Sequence, residues 1–402
     1  MASFIYCVKD ANGRSLHGLI EAEDKKEVKQ RVNHDEYFFV SAQACSKEKI
    51  FNQKVNSQTL IMFTHRLTSL VEAGIPILSA MNILWRQTED KAIQIVVSHM
   101  KNQLEQGSQI SSAIDDFPNI FPLVFRALIR VGEMSGALVL VLRKLGEYLD
   151  YRAMVVSRTN KATLYPTIVI VFSLLVVVGM FAFVVPTFQK VLIKLRVELP
   201  WITKVIIGIS DMIRSPIFIA GFFVFLILAF VAYKMIKNSD KLSYHIDKWM
   251  LKIPYFGNIL FIFSLSQVVR SLSILLVAGV PIIESLQVAS STAGNRKIIA
   301  DLDEIKHQIE QGSSLYDAFC NVKGFPVMLT EMVGVGESSG MLVQILEKLT
   351  KHFDEEVDYH LNRFLTILEP MLIIVVGAIV VITLLAIYLP VVSIWQGLMS
   401  HG

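Results

Sequence analysis

Charge is scarce in this chain and, in three places, absent. Asp, Glu, Lys and Arg make up only 18% of the 402 residues, and Thr167–Val185, Ile217–Tyr233 and Met371–Leu389 hold no Asp, Glu, Lys, Arg or His. Transport cycles place such groups at membrane depth to bind ions or relay protons, so a pump is disfavoured. A small-molecule transporter or channel subunit, the alternative reading, would need polar residues along a path that these runs do not offer. Cysteine is nearly missing too. Cys7, Cys45 and Cys320 match no metal or redox spacing and are expected to be reduced bystanders. No Walker A sequence occurs. Gly334-Val-Gly-Glu-Ser-Ser-Gly340 hints at a phosphate loop, but it lacks the Gly-Lys-Ser/Thr ending and no strand leads into it. No Ser/His/Asp or Cys/His set assembles, so the chain reads as a non-enzyme without cofactor. The net charge of +3 and the pI near 8.6 come without a basic tract dense enough for nucleic acid. They suit a protein lying against anionic membrane lipid. Met1–Val8 has neither a basic region nor a long apolar run and is no cleavable signal.

What is present is apolar surface in membrane-sized blocks. The three uncharged runs are 19, 17 and 19 residues long. At roughly 1.5 Å per residue they cover about 26 to 28 Å, close to the roughly 30 Å of a bilayer's hydrocarbon core. Arg152, Arg158 and Lys161 precede the first run and Lys234, Lys237 and Lys241 follow the second, which favours a cytoplasmic N-terminus. Lys190, Lys194, Arg196, Lys204 and Arg214 in the intervening loop pull the other way. Keeping two large charged regions on one side makes the N-in topology the simpler one.

The chain also says nearly the same thing twice, at an offset of 204 to 205 residues. Phe63–Ile77 is answered by Val268–Ile282, Glu105-Gln-Gly-Ser108 by Glu310-Gln-Gly-Ser313, and Gly132-Glu-Met-Ser-Gly136 by Gly336-Glu-Ser-Ser-Gly340. Pro166 and Pro186 bracket one apolar run as Pro370 and Pro390 bracket another. Each repeat is therefore a helical bundle followed by a membrane helix. Gly74-Ile-Pro76 and Gly279-Val-Pro281 read as helix-hairpin corners, because Gly accepts the left-handed conformation that ends a helix and Pro fits the first turn of the next. At Gly107 and Gly312 a second corner is expected, with Ser108 and Ser313 as candidate N-caps.

The predicted organisation is mainly α. A small N-terminal α/β domain spans 1–45, with two strands joined at Asp10-Ala-Asn-Gly13 and a charged helix near Asp24–Val32; a polar link, Cys45–Gln58, follows. A first cytoplasmic helical bundle spans 57–165 and a homologous second one 262–368. Membrane helices lie at 167–185, 217–233 and 370–390, with an extracytoplasmic loop at 187–216 and a short tail at 391–402. Within that loop Trp201–Ile213 is amphipathic, fit either for the interface plane or for packing beside the spans.

Three carboxylates are candidate partner contacts. Glu133 and Glu337 sit in the duplicated corners, where Gly132, Gly136, Gly336 and Gly340 allow close helix approach; either glutamate can cap a helix or dock a partner. Glu369 opens the third span, where Tyr165 stands in the first repeat. It either sits favourably at a helix N-terminus or meets a basic group on another membrane helix. His352, Asp354, Glu355, Glu356, Asp358 and His360 hint at a metal cluster but read better as a solvated face.

Taken in order, the Gly-x-Pro corners, the paired Gly-Glu-x-Ser-Gly-x-Leu motifs, the Glu-Pro opening of the last span and the three spans resemble the type II secretion F and type IV pilus platform family. The resemblance covers 57–402, and 3–42 looks like that family's N-terminal domain. It implies a bacterial inner-membrane protein that works beside a hexameric assembly ATPase. Such a protein would help move pilin or pseudopilin subunits from the membrane into a growing filament, among other inner-membrane assembly proteins and as a homo-oligomer.

Overall fold

The computed structural model describes residues 2–33, 37–45, 55–195 and 201–400. The protein is mainly helical, with one small sheet at its N-terminus. It forms two compact units: Met1–Val156 with Leu260–Glu356, and Ser157–Ile259 with Val357–Gly402.

The first unit opens with β1 (Ala2–Asp10), β2 (Ser15–Ala22), α1 (Lys25–Val32) and β3 (Tyr37–Cys45). Asp10 shapes the hairpin, its Oδ1 accepting from the amides of Asn12 and Arg14 at 2.9 and 2.8 Å. Asp24 caps α1, its carboxylate accepting from Glu27 N, and Glu27 accepts in turn from Glu23 N just before the helix. The sheet order is β2-β1-β3, antiparallel throughout. The sequence reading found two strands and missed β3, whose Phe38 and Val40 are exposed and whose partner β1 is distant in the chain. Most of the expected link from Cys45 to Gln58 lies outside the described residues.

First-repeat helices follow: α2 (Ser57–Glu72), α3 (Ile77–Gln87), α4 (Lys91–Glu105), α5 (Ile110–Asp115) and α6 (Leu123–Ser135). The sheet is docked on them rather than loosely appended. Edge strand β2 turns the backbone of His17 and Leu19 outward, and side chains satisfy all four groups. Gln94 Oε1 and Ser98 Oγ accept from the two amides, while Trp85 Nε1 and Asn102 Nδ2 donate to the two carbonyls. A sheet edge covered in this way offers no free ladder to another chain.

The second repeat matches the first: α12 (Phe256–Val277), α13 (Ile282–Ser290), α14 (Arg296–Glu310), α15 (Leu315–Asn321) and α16 (Val327–Ser339). Its corners close by the same paired hydrogen bonds. Ile75 N reaches Leu70 O and Gly74 N reaches Val71 O; Val280 N reaches Leu275 O and Gly279 N reaches Leu276 O. These are Schellman terminations, with φ of +75° at Gly74 and +88° at Gly279. Pro76 and Pro281 take the N-cap positions, one residue before the first helical turn expected for them. Ser108 and Ser313 are not the caps either: Gln109 and Ser314 occupy those positions.

Long helices leave each repeat. α7 (Leu138–Gly179) runs through Pro166 without a break, and α17 (Leu342–Ser400) through Pro370 and Pro390, so these prolines do not end the apolar runs as helix boundaries. α17 also takes in residues 391–400 of the expected tail. In the second unit a five-residue π segment, Met180–Val184, joins α7 to α8 (Val185–Leu195). Its wider turn aligns the Phe181 carbonyl with Pro186, which has no amide to donate. Ser210 supplies the missing donor, its Oγ 2.5 Å from Phe181 O. Ser210 belongs to α9 (Trp201–Arg214), whose Ile206 packs with Met180, Phe181 and Val185. The expected loop at 187–216 is thus largely helical, and its amphipathic stretch packs beside the span. The unit continues with α10 (Pro216–Asn238) and α11 (Asp240–Met250).

By length and composition, three helical stretches among the described residues are long and apolar enough to cross a membrane: Leu138–Val191, Phe256–Val277 and Leu342–Ile382. A fourth is the pair Lys204–Arg214 and Pro216–Val231, bent by 59°. The second of these is better read as a bundle helix. Its most apolar window is 67% buried, against 22% and 6% for the other two single helices, and it buries Ser264, Ser266, Gln267, Ser271 and Ser273. Leu175, Phe225 and Ile374, in contrast, are each 65 to 70% exposed. Outward apolar surface of this extent marks an interface with lipid or protein.

Candidate functional site

The duplicated Gly-Glu-x-Ser-Gly corners are the first place to look, and the structure fills both glutamates. Glu133, near the end of α6, reaches back to the start of α5. Its Oε1 accepts from Ile110 N at 2.8 Å, and its Oε2 accepts from Ser111 N at 3.0 Å and Ser111 Oγ at 2.6 Å. Glu337 on α16 does the same for α15, accepting from Leu315 N at 2.7 Å and Tyr316 N at 2.9 Å. The first amides of a helix have no partner within it and carry a partial positive charge, which a carboxylate satisfies. Of the two readings open for these glutamates, capping is the one their geometry occupies.

The glycines serve the same corners. Gly136 and Gly340 end α6 and α16 at φ of +70° and +69°. A Cβ on Gly132 would stand 3.1 Å from Val141 Cβ, and one on Gly336 3.0 Å from Leu342 Cα, so both admit the following helix at close range. Gly334 and the residues to Ser339 lie inside α16. Their amides belong to a helix and make no phosphate loop.

A second duplicated feature escaped the sequence reading. In the first repeat His65 Nε2 lies 2.9 Å from Asp150 Oδ2, joining α2 to α7. At the same offset in the second repeat Arg270 pairs with Asp354, joining α12 to α17. The repeat offset that aligned the glycines also aligns these residues, so the signal was available. The second pair is the more enclosed, with side-chain exposures of 14% and 20%, and it includes the first repeat. Ser266 Oγ donates to Asp354 at 3.0 Å, and the Arg270 guanidinium lies 3.7 Å from the centre of the Tyr151 ring. Burial, then the neighbouring Asp354 carboxylate, push the Tyr151 phenol up to about 12. An open cleft of about 470 Å³ adjoins this junction. Its lining holds Lys144, Lys348 and Lys351 together with Glu147 and Glu347, so it favours no single sign of ligand.

The acidic run on α17 is distributed around the helix. Asp354 faces Arg270, His352 lies 4.0 Å from Glu356, and Asp358 receives Arg158 at 2.7 Å. Among the described residues no three His, Cys, Asp or Glu side chains converge as a metal site would require. Glu369 lies well inside α17, which starts at Leu342. The expectation of a carboxylate at a helix N-terminus therefore fails, because the helix runs unbroken through Pro370. Glu369 is exposed and forms no ion pair among the described residues.

Comparison with known proteins bears on both repeats. The family model described as "Type II secretion system (T2SS), protein F" matches residues 63–186 and again 268–390. The chain is 30% identical to a type IV pilus assembly protein PilC of Thermus thermophilus, over 98% of each chain. It is 28% identical to a type IV pilus assembly protein PilC of Myxococcus xanthus, covering 98% of this chain and 95% of the relative. It is 27% identical to a type II secretion system protein F of Pseudomonas aeruginosa, covering 98% and 99%.

Proposed function

Because the chain belongs to the type II secretion system protein F family, we propose that it is the inner-membrane platform of a type IV pilus or type II secretion machine. It couples a cytoplasmic assembly ATPase to the insertion of pilin or pseudopilin subunits into a growing filament and catalyses no reaction itself. The observation that carries this reading is the continuity of α7 and α17. Each begins within a repeat of the first unit and runs as one helix into a stretch apolar enough to cross a membrane. A displacement applied to the bundles would reach the membrane through these helices, since a helix without a break transmits axial movement.

The N-terminus and both bundles are assigned to the cytoplasm. Glu369 is assigned the partner contact within the membrane boundary, because the carboxylates of Glu133 and Glu337 are committed to caps. Affinity purification of the tagged, crosslinked chain from its native membrane tests the proposal. It should recover an assembly ATPase and pilin-like subunits, with the pilin lost on Glu369→Gln. Recovery of neither would overturn the platform reading and leave flux in liposomes, the transporter reading, to be measured. Exposed Cys320 reports the topology: a membrane-impermeant maleimide should label it only after the cytoplasmic face is opened.

A further inference from the structure

The two repeats are alike in sequence but not in what covers them. On α6, Val124, Ala127 and Leu128 are 1%, 5% and 0% exposed. With half-buried Val131 they follow the i, i+3, i+4, i+7 spacing of a single helix face. Their counterparts on α16 are Met328, Glu331, Met332 and Val335. Met328 is 43% and Val335 55% exposed, Glu331 is exposed and Met332 is half-buried. The same face is closed in one repeat and open in the other.

Within the chain, α6 is packed against α13 of the second repeat. The counterpart of α13 in the first repeat is α3, and α3 makes no comparable contact with α16 among the described residues. The deficit shows on α3 as well: Val288 of α13 is 5% exposed, whereas its counterpart Ile83 is only half-buried. One pair of surfaces is used inside the molecule, and the equivalent pair is left over.

We propose that the open face of α16 docks α3 of a second copy of this chain, repeating between molecules the contact that α6 and α13 make within one. The two surfaces differ, so the contact is head-to-tail, and it either closes into a ring or continues as a row. Glu331 stands where the first repeat has Ala127, and it accepts from the Tyr316 phenol at 3.2 Å. The contact between copies is therefore more polar than the one within a chain, which suits reversible association.

Crosslinking in membranes tests this with the full chain after Cys7→Ser, Cys45→Ser and Cys320→Ser. One tagged copy carries Met328→Cys, and a differently tagged copy carries Ile83→Cys. A short bis-maleimide should join the two tags when both copies are present and give no dimer of either copy alone. Absence of the mixed product overturns the proposal, as does equally strong joining of Met328→Cys to itself, which would mean a two-fold interface. Independently, Met328→Glu with Val335→Glu should weaken self-association roughly tenfold or more, because a charge resists burial at an apolar contact. Native mass spectrometry reads that loss, and circular dichroism should show unchanged helicity since both side chains are exposed. An unchanged oligomer distribution in the double variant also overturns the assignment.

Discussion

Replacing Glu133 by Ala removes the partner of three donors at once: the amides of Ile110 and Ser111 and the Ser111 hydroxyl. Ile110 and Ser111 are 2% and 3% exposed, so water does not readily take the carboxylate's place. Losing an ordinary helix cap costs about 1 kcal/mol. Leaving buried donors unpaired after a charge-assisted bond is lost raises this to about 2–3 kcal/mol. Concentrated on the short helix α5, that corresponds to roughly 30- to 150-fold more frequent local opening at about 1.4 kcal/mol per tenfold. Hydrogen–deuterium exchange of the full chain in lipid discs, read on peptides covering 109–116, should show the increase while peptides in α4 change little. Glu337→Ala should do less, about 1–2 kcal/mol, because Tyr316 at that cap is only half-buried, where Ser111 is 3% exposed, and its amide rehydrates more easily. Unchanged exchange at 110–111 in Glu133→Ala would refute the capping argument. If ATPase recovery were lost at the same time, docking would be the true role of the residue.

Four further outcomes follow from the same structure. Arg270→Ala strands the largely enclosed Asp354 and should lower stability by about 2–4 kcal/mol in thermal unfolding of the detergent-solubilised chain, whereas Arg270→Met with Asp354→Leu should recover most of the loss. The Tyr151 phenol titrates near 12 in the fold and near 10 when unfolded. The fold therefore holds that proton more tightly, and the contribution is complete below about pH 10 and lost between about pH 10 and 12; Tyr151→Phe should remove that part of the alkaline decline. Gly336→Ala forces a methyl to 3.0 Å from Leu342 Cα and should cost about 1–3 kcal/mol in the same unfolding assay. Ser210→Ala leaves the Phe181 carbonyl without a donor beside Pro186 and should cost about 1–3 kcal/mol, read as faster proteolysis between α8 and α9.

Local chemistry was the legible part of the fold. Gly74 and Gly279 announce helix ends because few residues but glycine adopt positive φ cheaply, and the apolar runs announce themselves by length. β3 was not legible: its apolar residues do not alternate cleanly, and its register comes from β1 across the chain. Pro370 misled in a specific way, by suggesting that Glu369 stands at a helix start. Proline usually interrupts a helix, but in long apolar helices neighbouring groups and local adjustments compensate for the missing amide. The N-cap residues misled for a related reason. Gln109 and Ser314 hold the cap positions, yet the decisive acceptors at both corners come from Glu133 and Glu337, more than twenty residues further along.

The candidate site divides along the same line. Sequence alone determined that the unit is duplicated, which residues recur, where the apolar segments lie and which family the chain resembles, because each of these is written in residue identity at fixed spacing. Only the tertiary structure decided that the recurring glutamates cap helices, that Arg270 and Asp354 meet with Tyr151 above them, and that α6 is covered where α16 is open. Hydrogen bonds, ion pairs and burial depend on which distant surfaces the fold brings within a few ångströms, and two nearly identical repeats acquire different neighbours once they share a single compact unit.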